Sequence, residues 1–373
     1  MAPAANKKFR VLVVDDSPFM CKVLETIFNA DDQLQVAGRA KDGREAVALA
    51  ESLKPDVITM DINMPHMDGL QATAQIMTTN PRPIVIVSSE SREGAASTLK
   101  ALELGAIEFV AKPSSGIDLD MQNVKEELLR KVRMAAKVRV VRTASRLAMT
   151  LQGASGGSAP TKPAPRPAPM IPADQRFPVV VLGASTGGPA TVMRLAPGFT
   201  RDFPAAVFLV QHMPAAFTTQ YAAQLAEFTS IRVKEAESGE AVQPGTLYIC
   251  PGAQHLRVTP SGRIQLDATS GRINGYLPNI DITMETVAAY AGAMSIGVVL
   301  TGMGNDGAIG AKAIKSAGGL VLAQDEATSV IFGMPSEAIK VASVEQVLPI
   351  DDIYSAIEKR VIGLCKAAPV GVK

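Results

Sequence analysis

Hydrophobic residues in the first part of the sequence recur in a regular pattern. Between residues 9 and 125, short apolar runs alternate with segments whose apolar residues recur at helical spacing. The apolar runs predict strands at residues 11–15, 35–40, 57–61, 84–88 and 107–111, and the segments between them predict helices, for example at 44–53 and 69–79. Such alternation is typical of a parallel sheet with helices on both faces. We therefore predict a doubly wound (βα)5 domain.

The same alternation returns after residue 177. Apolar runs predict further strands at residues 179–182, 206–211, 246–250, 263–266, 296–300 and 319–323. Helical spacing between several of these runs predicts helices at 217–228, 282–291 and 308–317. We predict a second doubly wound, Rossmann-like parallel-sheet α/β domain.

The segment between the two patterns has a different composition. Residues 119–142 combine helical apolar spacing with many charges, which indicates a solvated helix face rather than a nucleic-acid patch. The Gly/Ser and Pro/Ala runs at 153–158 and 160–169 are typical of a linker. The predicted organisation is a first domain at 1–125, a helix extension and linker at 126–176, and a second domain at 177–368.

Composition narrows the classes of function. The formal net charge is +1, from 37 basic and 36 acidic residues, and does not indicate a nucleic-acid-binding surface. The three scattered cysteines argue against a disulfide framework and for a reducing compartment. No apolar run approaches the roughly 18 residues of a membrane span, and the first ten residues lack a signal-peptide core. We expect a soluble, cytoplasmic protein without a nucleic-acid partner or membrane insertion.

Polar residues stand at the carboxyl ends of the predicted strands of the first domain. The first strand ends in Asp15-Asp16, the third in Asp61 and the fourth in Ser88, and the fifth runs into Lys112. Function in parallel sheets is concentrated at this edge. Three carboxylates there would repel one another unless a cation joined them, and all-oxygen ligands favour Mg²⁺. Any single aspartate could be only a helix cap, but the set predicts a metal and anion site.

These residues resemble the receiver domain of two-component response regulators over residues 9–125. The resemblance implies that Asp61 accepts a phosphoryl group, whose added charge drives a local switch. The implied Mg²⁺ ligands are Asp15, Asp16, Asp61 and the backbone carbonyl of Asn63. The implied switch residues are Ser88, Phe109 and Lys112.

A glycine-rich turn follows the first strand of the second domain. The turn reads Gly-Ala-Ser-Thr-Gly-Gly at 183–188, with Ser185 at its apex, and fits the G-x-S-x-G pattern of a nucleophile elbow. A helix behind such a turn offers N–H groups that can stabilise an oxyanion. The same arrangement also cradles the phosphates of nucleotides. Taken alone, the turn leaves serine catalysis and nucleotide binding equally open.

Histidine is scarce in this sequence, which has only His66, His212 and His255. His66 lies in the first domain. His212 directly follows the apolar run at 206–210, so we predict it at the same sheet edge as Ser185. His255 is predicted in a turn. A lone histidine is more often structural than catalytic, and only geometry assigns it a catalytic role.

Two aspartates could orient a catalytic histidine. Asp306 lies in the Gly-rich turn after the predicted strand at 296–300, and Asp325 follows the strand at 319–323. A serine needs a base to remove its proton, and the imidazole needs a carboxylate to fix its tautomer. The Asn-Asp-Gly sequence around Asp306 also suits an ordinary turn.

Three segments of the second domain resemble, in the same order, those of chemotaxis protein-glutamate methylesterases. They are residues 183–188, Gln-His-Met-Pro at 211–214 and Thr-Gly-Met-Gly-Asn-Asp-Gly at 301–307, and the resemblance extends over 177–347. It implies that Ser185 is the nucleophile, His212 the general base and acid, and Asp306 the orienting carboxylate. The candidate oxyanion-hole donors are the backbone N–H groups of Thr186 and Met303.

The resemblance also implies a function. Members of that family remove methyl groups from glutamyl methyl esters on cytoplasmic helices of chemoreceptors and deamidate particular glutamines there, in chemotactic adaptation. The implied partners are these receptors and a chemotaxis histidine kinase as phosphodonor. Hydrolysis would need no cofactor, and Mg²⁺ would serve the first domain. The alternatives are a phosphorylation-controlled module that binds a nucleotide or partner, and a DNA-binding regulator, which the neutral charge and the strand-rich second half disfavour.

Overall fold

The computed structural model describes residues 8–88, 92–112, 118–138 and 177–367. These residues form two units, and their two main sheets have five and seven strands. The predicted Gly/Ser and Pro/Ala linker lies outside the described residues. No described helix has the length and apolarity needed to cross a bilayer.

The five-stranded sheet has the strand order β2-β1-β3-β4-β5. Its strands are β1 (Phe9–Val14), β2 (Leu34–Ala40), β3 (Val57–Met60), β4 (Ile84–Ser88) and β5 (Glu108–Ala111). The helices are α1 (Pro18–Asn29), α2 (Gly43–Leu53), α3 (Gly69–Thr79), α4 (Arg92–Glu103) and α5 (Asp118–Ala135). Strand β1 pairs in parallel with β2 and β3, and β3 pairs in parallel with β4. The predicted (βα)5 domain is confirmed.

Three helices of this domain begin at polar N-cap residues. Ser17 caps α1, with Pro18 as its first residue, and Asp42 caps α2. Asp68 and Gln71 form a reciprocal capping box at the start of α3. Helix α5 ends at Ala135, earlier than the predicted residue 142, and a turn follows it.

The seven-stranded sheet is parallel throughout and has the order β14-β13-β12-β6-β7-β9-β8. Its strands are β6 (Val179–Ala184), β7 (Ala206–Gln211), β8 (Arg232–Glu235), β9 (Thr246–Ile249), β12 (Ser295–Val299), β13 (Leu320–Gln324) and β14 (Gln346–Leu348). The helices are α6 (Gly188–Leu195), α7 (Ala215–Phe228), α8 (Ile280–Ala291), α9 (Ala308–Ser316), α10 (Met334–Ala342) and α11 (Ile350–Ala367). The second predicted parallel-sheet domain is also confirmed.

Two features of this domain differ from the sequence prediction. The predicted strand at 263–266 corresponds to β11 (Ile264–Asp267), but it pairs antiparallel with β10 (His255–Val258) in a separate two-stranded sheet. The prediction that His255 lies in a turn is therefore wrong, because this residue begins β10. Strand β10 has four residues and depends on pairing with β11, which its local apolar pattern does not reveal.

Candidate active site

Ser185 directly follows β6, and hydrogen bonds on several sides fix its backbone. Its N–H donates to the carbonyl of Thr301 at 3.0 Å. Its own carbonyl accepts from the N–H of Gly188 at 2.7 Å and from Nε2 of Gln211 at 2.9 Å. The residue is 9% exposed. Strand β6 and its two neighbours therefore hold the serine at the carboxyl edge of the sheet.

Two positions close to Ser185 require glycine. Gly187 has a φ of +74° at the start of α6, a backbone conformation that favours glycine. A Cβ on Gly302 would overlap Sδ of Met334 and would stand 2.8 Å from Cβ of Ser185. A larger residue at position 302 would therefore push directly on the serine.

Strand register brings His212 beside Ser185. Ala184, the last residue of β6, pairs with Gln211, the last residue of β7. Ser185 and His212 therefore leave neighbouring parallel strands at the same level. The N–H of His212 donates to the carbonyl of Ala184 at 3.1 Å.

A buried carboxylate contacts the imidazole. Nε2 of His212 lies 2.7 Å from Oδ2 of Asp306, whose side chain is fully buried. The same carboxylate accepts backbone N–H groups from Ile280 at 2.8 Å, and from Asp281 and Gly307 at 3.1 Å each. Two of these donors belong to the first turn of α8, where the helix dipole favours negative charge. The carboxylate is thus fixed in position and oriented toward the imidazole.

The alternative candidates have other partners. Oδ1 of Asp325 accepts from the N–H and the hydroxyl of Thr328, at 3.0 and 2.6 Å, and so closes the turn after β13. His255 is fully buried, and its Nε2 lies 2.8 Å from the carbonyl oxygen of Gly271. In the described part of the chain, neither side chain hydrogen-bonds to the Ser185, His212 and Asp306 group.

The carboxylates of the first domain converge as the sequence predicts. Asp15, Asp16 and Asp61 each offer a carboxylate oxygen, and these oxygens lie within 4.8 Å of one another. Oδ1 of Asp61 accepts the N–H of Ile62 at 2.8 Å. A Cβ on Gly69 would overlap the carbonyl oxygen of Asp61, so this glycine lets α3 begin close to the cluster. A set made only of oxygen donors fits a hard divalent cation such as Mg²⁺.

The remaining predicted residues of this domain lie along its carboxyl edge and on β5. Asn63 lies in the loop after β3, and Ser88 is the buried last residue of β4. Phe109 lies within β5, and Lys112 directly follows that strand. The N–H of Lys112 donates to the carbonyl of Ser88 at 2.7 Å.

Comparison with known proteins connects both sites to one family. The CheB methylesterase family matches residues 180–357, and the response regulator receiver domain matches residues 11–122. The protein-glutamate methylesterase/protein-glutamine glutaminase of Pyrococcus horikoshii is 42% identical over 361 residues, covering 96% of this chain and 95% of that protein. This chain belongs to the protein-glutamate methylesterase/protein-glutamine glutaminase family. The resemblances stated from the sequence are confirmed.

A further relative agrees with this assignment. The Methanococcus maripaludis member of the methylesterase/glutaminase family is 40% identical over 350 residues, covering 92% of this chain and 96% of that protein. The crystal structure of the Thermotoga maritima CheB methylesterase catalytic domain is 39% identical to this chain. The match covers 50% of this chain and 99% of the Thermotoga maritima chain, with a TM-score of 0.48.

One aromatic residue at the candidate site was not predicted from the sequence. The ring of Tyr276 stacks on His212, with centroids 4.8 Å apart and planes inclined by 18°. The preceding Asn274-Gly275 pair is a known hairpin-turn signal. That pair predicts a turn, but it does not indicate that the turn places Tyr276 against His212.

A second carboxylate, that of Asp281, lies next to Asp306. Asp281 is buried at the start of α8, and its Oδ1 accepts the N–H of Gly310 at 2.7 Å. Burial and the nearby charge of Asp306 raise the pKa of Asp281 to about 6, against the opposing effect of the Gly310 hydrogen bond. This carboxyl group therefore keeps its proton to a higher pH than an ordinary aspartate does.

Proposed function

We propose that this chain hydrolyses glutamyl methyl esters, and deamidates glutamines, on chemoreceptor cytoplasmic helices. Ser185 is the nucleophile, His212 the general base and acid, and Asp306 the orienting carboxylate. The observation that carries the proposal is the 2.7 Å contact between His212 and Asp306, located beside Ser185 on the adjoining strand. Family membership supports the same reaction, because the Pyrococcus horikoshii relative is named for both activities.

The imidazole orientation assigns each ring nitrogen a task. Nε2 of His212 contacts Asp306, so Nδ1 is the nitrogen that takes the proton from Ser185. The serine Oγ attacks the ester carbonyl carbon, and the proton passes from Nδ1 to the departing methoxide, which leaves as methanol. Water then attacks the acyl-enzyme, giving its proton to Nδ1, and the serine recovers a proton as the glutamate is released. A glutamine follows the same path and releases ammonia.

Peptide geometry supports Thr186 and Met303 as oxyanion-hole donors. The N–H and C=O groups of a trans peptide point in opposite directions. The carbonyl before Thr186 accepts from Gln211, so the N–H of Thr186 points away from that side chain. The carbonyl before Met303 accepts the N–H of Met334 at 2.8 Å, so the N–H of Met303 points away from the start of α10. Two such donors can stabilise the tetrahedral intermediate.

The first domain would regulate this reaction through phosphorylation of Asp61. The ligands of Mg²⁺ would be Asp15, Asp16, Asp61 and the carbonyl of Asn63. The ion would neutralise the clustered carboxylates and bind the oxygens of the phosphoryl group. The switch would consist of Ser88, Phe109 and Lys112. A chemotaxis histidine kinase would be the phosphodonor, and the setting would be the cytoplasm.

Methanol release tests the proposal directly. The substrate is a methylated cytoplasmic fragment of a chemoreceptor, and the proteins compared are the unmodified chain, Ser185→Ala and a matched control, Ser261→Ala, at an exposed loop serine. We expect release from the unmodified chain and the control but not from Ser185→Ala. Release that persists in Ser185→Ala refutes the nucleophile. Absence of release from all three would favour nucleotide binding at the Gly-rich turn, which requires neither His212 nor Asp306.

A further inference from the structure

The segment between β11 and α8 covers one face of the candidate catalytic histidine. We refer to residues 268–279 as the flap. We propose that Tyr276, at the tip of the flap, is a positioning residue that holds the imidazole plane of His212 during catalysis. This inference rests on the proposed function and names a residue that acts on the same site.

Two kinds of contact fix the side chain of Tyr276. Its ring stacks on His212, with ring centroids 4.8 Å apart. Its Oη lies 3.4 Å from the backbone nitrogen of Asn305 and 3.5 Å from Oδ1 of the same residue. A Cβ on Gly304 would overlap this Oη, and Gly304 has a φ of +96°. The turn that carries Asp306 therefore has a glycine where the tyrosine approaches.

The tip of the flap is a tight hairpin. Ile273 and Tyr276 exchange two backbone hydrogen bonds of 3.0 Å each. The two residues between them, Asn274 and Gly275, have φ values of +52° and +87°, as a type I′ turn requires. This turn is favoured at two-residue hairpins because its twist matches that of the paired chains. The tyrosine thus extends from a defined backbone rather than from an open loop.

The two ends of the flap are also attached to the domain. At its start, Nε2 of the buried His255 donates to the carbonyl of Gly271 at 2.8 Å. At its end, the Nδ2 of Asn279 donates to the carbonyl of Ile273 at 3.3 Å, while its Oδ1 accepts the N–H of Ile282 at 2.9 Å. Asn279 is therefore the N-cap of α8 and also anchors the hairpin.

The proposed reaction gives this contact a function. The hydrogen bond to Asp306 fixes one atom of the imidazole, but the ring can still rotate about that bond and its own side-chain torsions. A stacked aromatic ring removes this freedom and keeps Nδ1 directed toward Ser185. The aromatic face also interacts favourably with the imidazolium that forms when the proton moves. We therefore expect Tyr276 to affect the chemical step more than substrate binding.

Kinetics and histidine NMR test this role on the full chain. The variants are Tyr276→Phe, which keeps the stack, Tyr276→Ala, which removes it, and Tyr354→Phe in α11 as a matched control. We expect Tyr276→Ala to lower kcat roughly ten- to a hundredfold, as misplacement of a catalytic group does, with KM within about threefold. Tyr276→Phe should retain kcat within about threefold, since the aromatic contact remains.

The NMR arm does not depend on activity. With ¹⁵N-labelled histidine only three imidazoles contribute signals. The ring-proton signals of His212 should move in Tyr276→Ala, because the shielding by the stacked ring is lost, and stay nearly unchanged in Tyr276→Phe. Unmoved His212 signals in Tyr276→Ala would overturn the contact, whether or not the chain releases methanol. An unchanged kcat, or a change confined to KM, would overturn the positioning role. An unmodified chain that releases no methanol would refute the proposed function, and loss of the stacked-ring shielding would still support the contact.

Discussion

Replacing Asp306 by asparagine tests the geometry of the candidate site most sharply. The carboxylate makes four contacts: backbone N–H groups of Ile280, Asp281 and Gly307, and Nε2 of His212. An amide must place its NH₂ group at one of the two oxygen positions. At Oδ1 it would face two N–H donors, whereas at Oδ2 it would face only that of Ile280. The second orientation loses fewer hydrogen bonds and is the one we expect.

That orientation determines how far Asp306→Asn lowers the free energy of unfolding and how far it lowers kcat. The N–H of Ile280 loses its acceptor in a fully buried position, and a hydrogen bond to a charged group contributes about 1.5–3 kcal/mol. The amide NH₂ would also donate to Nε2 of His212, which forces the imidazole proton onto Nδ1. A protonated Nδ1 cannot take the serine proton. The corresponding substitution in a Ser-His-Asp protease lowers kcat about 10⁴-fold, and we expect a similar loss here.

Asp325→Asn is the matched control, because it makes the same chemical change at the other candidate carboxylate. Methanol release from a methylated receptor fragment gives the rate, and urea denaturation gives the free energy of unfolding. We expect Asp325→Asn to keep its rate within about threefold, since its carboxylate only closes a turn. A rate in Asp306→Asn above roughly one tenth of that of the unmodified chain would refute the tautomer argument.

Three further predictions concern other residues. Asp61→Asn should abolish any rate increase on addition of a small-molecule phosphodonor and Mg²⁺; an increase that survives would exclude Asp61 as the acceptor. Gly302→Ala should lower methanol release about a hundredfold, because the new Cβ would stand 2.8 Å from Cβ of Ser185; an unchanged rate would contradict that crowding. The pKa of Asp281 is about 6 in the folded chain against 3.8 for an ordinary aspartate, so the folded state binds this proton more tightly. Its contribution to the free energy of unfolding should decline by about 3 kcal/mol as pH rises from about 4 to above 6, and Asp281→Asn should remove that decline in urea denaturation at pH 4 and pH 7.

The predicted strands and those in the structure agree best in the centres of the two sheets. Strands buried on both faces have nearly continuous apolar sequences, so runs such as 179–182 and 84–88 identify them. The edge strands β8 and β14 contain no fully buried residue and carry polar residues, so the apolar pattern misses them. Strand β10 is missed because its pairing with β11 is a tertiary contact.

Residues of the candidate site could be predicted from the sequence only where they follow strands of the main sheet. Ser185, His212 and Asp306 could be selected because each follows a buried strand, and parallel strands end at one edge. Tyr276 could not be selected in this way, because it lies in a flap outside the main sheet. Its position depends on the packing of that flap against the turn at Gly304.

The start of α8 connects the Ser185, His212 and Asp306 group with the flap that carries Tyr276. The N–H groups of Ile280 and Asp281 hold the carboxylate of Asp306, which contacts Nε2 of His212. One residue earlier, Asn279 caps the same helix and binds the hairpin that carries Tyr276 onto the imidazole face. A single helix terminus therefore determines both the edge contact and the face contact of the imidazole. The local sequence Asn-Ile-Asp-Ile is consistent with a helix start, but only the tertiary structure reveals that both contacts depend on it.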